Sequence, residues 1–240
     1  FGWRHIFTVF AIVAGISAIW FFSRQKETLV RARRVKFNWY HFWRSIVWLV
    51  QQPAVMGPAL GMGFIFGAFL AYLSGSQTIF QGIYDTGEYF PLLFATLAFA
   101  IGAASLFNGI MVVKLGMLRL VNFALIMSVV FGLTLTIVST LYKGVPPLWL
   151  FTSMMFFGFF FIGILFGNLN SLAMVPVGHM AGVGAAFIGS FTSVLAVPIA
   201  VFINQFLSDS IQPIAYGFLV FGVATYFAVR LGIKYTPIEE

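Results

Sequence analysis

The intervals between charged residues divide this chain before any other feature does. A helix needs about 20 apolar residues to cross a hydrocarbon layer roughly 30 Å thick, and the uncharged intervals come in that size. Ile6–Phe22 is an apolar run of 17 residues. Ser45–Tyr84 is 40 residues without Asp, Glu, Lys or Arg, and its polar shoulders at Gln51-Gln52 and Gly75-Ser76-Gln77 leave room for one span over 54–74. Tyr89–Val113 supplies 25 residues, Leu120–Tyr142 supplies 23, and Ser210–Val229 supplies 20. Gly144–Ser208 is 65 uncharged residues, too long for one crossing. Pro176-Val-Gly-His-Met-Ala-Gly182 divides it into spans over 148–174 and 181–207. The pattern predicts an all-α membrane protein of seven transmembrane helices. Barrel strands would alternate polar and apolar positions over about 10 residues, and no segment does.

Composition agrees. The 240 residues are 61% hydrophobic and 8% charged, against roughly 45–50% and about 25% in soluble domains. So little charge cannot coat a water-facing surface, which excludes a soluble enzyme, a disordered tail and a nucleic-acid binder. The absence of cysteine excludes disulfides, thiolate metal sites and cysteine catalysis. The net charge of +7 is a matter of sidedness. Eleven Lys and Arg fall in one set of loops, against Arg4 and Lys143 in the other set with Asp85, Glu88 and Asp209. By the positive-inside rule the C-terminus is cytoplasmic and the first helix begins outside. The chain opens Phe1-Gly2-Trp3-Arg4, without an initiator Met or a signal peptide, so further chain is expected before it.

Segment 23–52 combines Arg24, Lys26, Arg31, Arg33, Arg34, Lys36 and Arg44 with Phe37, Trp39, Tyr40, Phe42, Trp43 and Trp48. A basic and aromatic stretch of this kind suits the headgroup level of a membrane. It reads as an interfacial linker, with a specific anionic-lipid or regulatory site as the alternative.

No Asp, Glu, Lys or Arg falls in the middle of any span, so neither a retinal Schiff-base lysine nor a titratable coupling carboxylate is at hand there. What remains are neutral polar groups: Asn108, Asn168, Asn170, Ser190, Thr192, Ser193, Asn204, Gln205, Tyr72 and Tyr216. Each has two readings, as interhelical hydrogen-bonding glue or as a polar contact in a cavity for a small amphipathic molecule. Small residues recur every fourth position at Gly57/Gly61, Gly63/Gly67/Ala71, Gly163/Gly167/Ser171 and Ala185/Gly189/Ser193. They predict that spans two, five and six are interior helices in close approach. Metalloprotease, phosphate-loop and Ser-His-Asp patterns are missing. The histidines at 5, 41 and 179 are scattered, so neither catalysis, a metal nor a cofactor is expected.

Four segments carry a resemblance. Gly2-Trp3-Arg4 before a short helix resembles the junction between helices five and six of bacterial major facilitator drug transporters. Tyr72-Leu-Ser-Gly-Ser76-Gln-Thr-Ile-Phe-Gln81 with Tyr84 and Phe90-Pro-Leu-Leu-Phe94 resembles the helix seven-to-eight region of the bicyclomycin-resistance (Bcr/CflA-type) efflux family, with Gln77 where Pro is usual. Gly109-Ile-Met-Val-Val-Lys114-Leu-Gly116, ending at Arg119, is similar to the second-half copy of the superfamily's cytoplasmic loop signature, with Val113 at its acidic position. Pro176-Val-Gly-His-Met-Ala-Gly182 resembles the family's loop between helices ten and eleven.

The resemblance implies helices six to twelve of a twelve-helix carrier. Residues 1–22 would belong to a missing N-terminal half, 23–52 would be the linker, and 53–240 would be the C-terminal half-bundle of a major facilitator fold. It also implies proton-coupled efflux of drug-like molecules across the bacterial inner membrane, with the coupling carboxylates in the other half. Expected partners are a small-molecule substrate, protons, membrane lipids and that missing half. Expected substrate contacts are Phe66, Tyr72, Asn168, Ser190, Thr192 and Ser193, and expected conformational loop residues are Lys114, Gly116, Arg119, Pro176 and Gly178. The rival readings are a seven-helix receptor or sensor, a carrier of another solute such as a sugar or nucleoside, and a half-size protein that dimerises.

Overall fold

The computed structural model describes residues 4–25 and 38–236. The basic run from Lys26 to Phe37 and the opening Gly2-Trp3 pair lie outside the described residues. The helices are α1 (Arg4–Arg24), α2 (Trp39–Gln51), α3 (Pro53–Gln77), α4 (Phe90–Leu115), α5 (Met117–Leu141), α6 (Leu148–Met174), α7 (Ala181–Asn204) and α8 (Gln212–Ile233). Among the described residues there is no strand. Six continuous helical stretches among the described residues are long and apolar enough to cross a membrane, one of them running 57 residues from Leu148 to Asn204. Two units divide the chain, Phe1–Tyr40 with α1 and His41–Glu240 with α3–α8.

Packing partners fix the direction of each helix in the larger unit. Gly57 of α3 meets Gly232 of α8, and Gly61 meets Thr225 and Val229, so α3 and α8 are antiparallel. Gly63 meets Leu195 and Gly67 meets Ile199, so α3 and α7 run the same way. Phe66 packs on Phe166 while Tyr72 packs on Phe159, so α6 opposes α3. The chain therefore reverses inside the 57-residue stretch, at the 3-10 segment Val175–Met180 where Val177 leaves helical geometry. That segment lies within Pro176–Gly182, and the stretch is two crossings.

The same neighbours give a two-layer bundle. α4, α6, α3 and α7 stand side by side in that order, with α5 behind α6 and α8 behind α3. Three links depend on glycine. Gly116 alone joins α4 to α5 at φ 81° and ψ 151°, a conformation that costs an L side chain strain. A Cβ on Gly57 would lie 2.5 Å from Gly232 Cα, and one on Gly132 would lie 2.7 Å from Leu219 Cα, so α3–α8 and α5–α8 meet backbone to backbone. Interhelical hydrogen bonds add to this contact: Thr225 Oγ1 donates to Gly61 O at 3.0 Å and Thr136 Oγ1 to Ala215 O at 3.2 Å.

An aromatic knot closes one end of the front layer. The Tyr72 ring, 1% exposed, sits 4.8 Å from Phe159 and 6.5 Å from Phe80 and Phe94. There α3 continues into a π-helical turn over Thr78–Ile83, which turns Phe80 and Ile79 into the core. At this end the connections carry Asp85, Glu88, Lys143 and Asp209. The opposite end carries Arg44, Lys114, Arg119, His179, Arg230 and Lys234.

Candidate substrate face

Both layers expose large apolar side chains, Phe99, Leu106 and Val113 on α4 and Val194 and Val201 on α7 among them, and the front layer differs in the small and polar residues set between them. α5 and α8 turn out Phe123, Ile126, Val130, Leu133, Ile137, Val220 and Phe227. The exposed Thr134 and Thr140 on α5 return their hydroxyls to their own helix. This is the surface lipid requires, because an unsatisfied polar group is costly there. The front layer exposes Gly102, Ser105 and Gly109 on α4, Gly167, Asn170 and Ser171 on α6, Ser74 and Gln77 on α3, and Gly189, Ser190 and Ser193 on α7. Between them the half-buried Phe66 and Leu70 form the open edge of α3, with Phe66 edge-on to Phe166 at 5.9 Å.

The six expected substrate contacts do not converge on one cavity. Ser190 and Ser193 are exposed on α7, and Ser193 Oγ donates to Gly189 O at 3.0 Å. Thr192 turns the other way, toward α3, with Oγ1 buried and without a partner. Asn168 is 3% exposed. Its Nδ2 donates to Asn108 Oδ1 at 2.6 Å and to Ile164 O at 2.8 Å, joining α6 to α4. Tyr72 lines a small cavity of about 70 Å³ beside Phe94, Leu97 and Phe159. Its hydroxyl has no partner, nor do those of Tyr84, Thr86 and Thr152. Burial also raises the Tyr84 phenol above its ordinary pKa. Phe66 is the one aromatic of the set at the open edge.

A cleft that sequence reasoning missed opens at the acidic end of the same layer. Leu70, Ser74, Val197, Ala200, Val201, Asn204 and Gln205 line about 500 Å³ between α3 and α7. Asn204 Nδ2 donates to Ser74 Oγ at 2.7 Å, leaving Asn204 Oδ1 without a partner. The polarity of Asn204 and Gln205 was visible in the sequence. The pairing of Asn204 with Ser74 needed the parallel register of α3 and α7. An apolar groove of about 470 Å³ between α7 and α8, lined by Phe202, Phe206, Tyr216 and Val220 among others, contains none of the expected residues.

The motif residues lie at the basic end. Lys114 and Arg119 are exposed on either side of the Gly116 turn, and Gly178 is exposed beside the half-buried Pro176. The sequence pattern of the Major Facilitator Superfamily matches residues 1–201. The chain belongs to that superfamily. Family membership points to a transporter rather than to an enzyme, a receptor or a sensor. Over 95% of its length it is 27% identical to the uncharacterized MFS-type transporter YdgK of Bacillus subtilis, of which it covers 56%. Over 98% it is 24% identical to a bicyclomycin resistance protein homolog of Haemophilus influenzae, of which it covers 59%. The chain thus spans a little over half the length of these relatives. No solved structure matches it significantly. In this major facilitator chain, the Gly116 turn and the Val175–Met180 reversal are the connections in which the loop resemblances fall.

Proposed function

We propose that this chain is the C-terminal portion of a proton-coupled efflux carrier of the bacterial inner membrane, acting on drug-like small molecules. The contrast between the two layers carries the reading. Exposed glycine, serine and asparagine recurring among the apolar side chains of these helices suit another protein surface or a water-filled cleft better than lipid. The α4–α6–α3–α7 face would meet a second bundle, with substrate held between them. Residues 53–240 would be the C-terminal half, 23–52 the linker, and 1–22 a helix of the first half, with the C-terminus cytoplasmic.

Within this scheme Phe66, Ser190 and Ser193 would meet substrate or the partner half directly. Tyr72, Asn168 and Thr192 would support them from behind. Lys114, Gly116 and Arg119, with Pro176 and Gly178, would form the loops that move as the bundles rock. Proton coupling would rest on a carboxylate of the other half, since α3–α8 hold none at membrane depth. The resemblance to a bicyclomycin resistance homolog favours a drug over a sugar or nucleoside.

The test is transport by the full-length carrier in proteoliposomes, with an internal pH dye and bicyclomycin or a lipophilic cation as substrate. Drug-dependent proton movement that Phe66→Ala and Ser193→Leu reduce supports the reading. Drug movement without proton movement refutes the coupling. Unchanged transport in both variants refutes the assigned face.

A further inference from the structure

On the rear layer, away from the front face, an apolar groove runs toward a group of basic side chains. Ile126, Val129 and Val130 of α5 and Val223, Tyr226 and Phe227 of α8 line about 360 Å³. Gly132 meets Leu219, and Gly222 meets Ser128 and Val129, so the two helices are antiparallel. Further toward the basic end, Val121 and Leu125 share a buried cluster with Val229, and Tyr226 and Ile233 pack against it. This register sets Arg119 of α5 at the height of Gly232, between Arg230 and Lys234 of α8.

Groove and cations also share helix faces. Arg119, Ile126 and Val130 recur at helical spacing on α5, as do Val223, Tyr226, Arg230 and Lys234 on α8. At 1.5 Å per residue the groove begins about 6 Å beyond Arg230, at Tyr226, and extends about 10 Å, to Val223. One leaflet of hydrocarbon is about 15 Å deep. With the guanidinium groups at headgroup level, the groove therefore lies at the depth of an acyl chain.

Tyr226 joins the two parts. It is a wall of the groove, its hydroxyl accepts from Arg230 Nε at 3.5 Å, and its ring centroid lies 5.6 Å from the guanidinium carbon. Arg230 keeps its Nη–H groups for a ligand, in a geometry that favours two-point contact with phosphate oxygens. Arg119 and Lys234 are exposed, and every described carboxylate, Asp85, Glu88 and Asp209, lies at the other end of the bundle.

We infer that the α5–α8 groove holds one anionic diacyl phospholipid, taken from the leaflet at the basic end. Its phosphate meets Arg230 and Arg119, and an acyl chain lies along Ile126, Val130 and Phe227. Free phosphate would leave the apolar groove unused, and a neutral lipid would leave the arginines unused. Only an anionic lipid complements both.

Native mass spectrometry of the full-length carrier, titrated with phosphatidylglycerol and with phosphatidylcholine of the same acyl chains, tests this. The first phosphatidylglycerol should bind roughly thirtyfold more tightly, the scale of two basic residues acting on one phosphate. Arg230→Gln should weaken it roughly fivefold, and Arg119→Gln with Arg230→Gln should remove the preference. Val130→Trp, which fills the groove and leaves both arginines, should also weaken it. Arg44→Gln, which removes a charge at the same end but outside the groove, should keep it. Equal binding of the two lipids by the parent overturns the inference. So does a preference that survives in the double variant, or parental binding in Val130→Trp. Equal loss in Arg44→Gln and Arg230→Gln would mean diffuse charge attraction and overturns it as well.

Discussion

Replacing Gly57 by alanine should be among the most damaging single-methyl changes in the bundle. The new Cβ would lie 2.5 Å from Gly232 Cα, 2.6 Å from Ala228 O and 2.8 Å from Gly232 N, all backbone atoms that cannot rotate away. Ordinary carbon contacts begin near 3.5 Å, so α3 and α8 would have to part by about 1 Å. The neighbouring Thr225 Oγ1 to Gly61 O bond, 3.0 Å long, would stretch with them. Overpacking costs about 1–3 kcal/mol, and an interhelical hydrogen bond in a membrane protein averages about 0.6 kcal/mol. The sum is about 1.6–3.6 kcal/mol, or roughly 3–14 °C in unfolding temperature for a unit of this size. Gly189→Ala is the matched control, because nothing lies within 4 Å of its new methyl. Thermal unfolding followed by tryptophan fluorescence in detergent should show a large drop for Gly57→Ala and a change within about 0.5 kcal/mol for Gly189→Ala. In transport the order should invert for a bulky change, with Gly189→Leu losing drug efflux at parental stability. Parental stability in Gly57→Ala, or collapse of Gly189→Ala, refutes the assigned packing.

Other substitutions separate structural from functional roles. Asn108→Leu should destabilise by roughly 0.6–1.7 kcal/mol, because it leaves the buried Asn168 amide one bond short. The Asn108→Leu, Asn168→Leu double variant should cost less than the sum of the two single variants in the same unfolding assay. Gly116→Ala should cost about 1–3 kcal/mol for its φ of 81°, measured as a shift in chemical unfolding. Tyr72→Phe should leave both stability and efflux within error, since the lost hydroxyl has no partner. Tyr72→Ala should destabilise by about 3–5 kcal/mol, as for deletion of other core aromatics.

The spans were readable from charge alone, because a lipid layer forbids charge at depth and counts residues by length. The reversal near Pro176 was readable because 65 uncharged residues exceed one crossing. What lay beyond reading was which side of each helix faces which neighbour. In a soluble helix hydrophobic periodicity supplies that, but here the helices are apolar all round and the period carries little signal. Gly63 and Gly189 sit in small-residue repeats of identical spacing, yet Gly63 packs against Leu195 while Gly189 faces open space. Thr192 and Ser193 are adjacent hydroxyls of α7, one buried and one exposed, and Asn168 and Asn170 divide in the same way.

The assigned face can be read out directly, because the chain contains no cysteine of its own. Single substitutions Asn170→Cys on α6 and Val130→Cys on α5, in the full-length carrier in nanodiscs with any cysteine outside this chain replaced by serine, can be titrated with a charged, membrane-impermeant thiol reagent. Rapid modification of Asn170→Cys, slowed by bicyclomycin or a lipophilic cation, with Val130→Cys unreactive, is the expected result. Modification of Val130→Cys while Asn170→Cys stays silent would place lipid on the α4–α6–α3–α7 face and contradict the account.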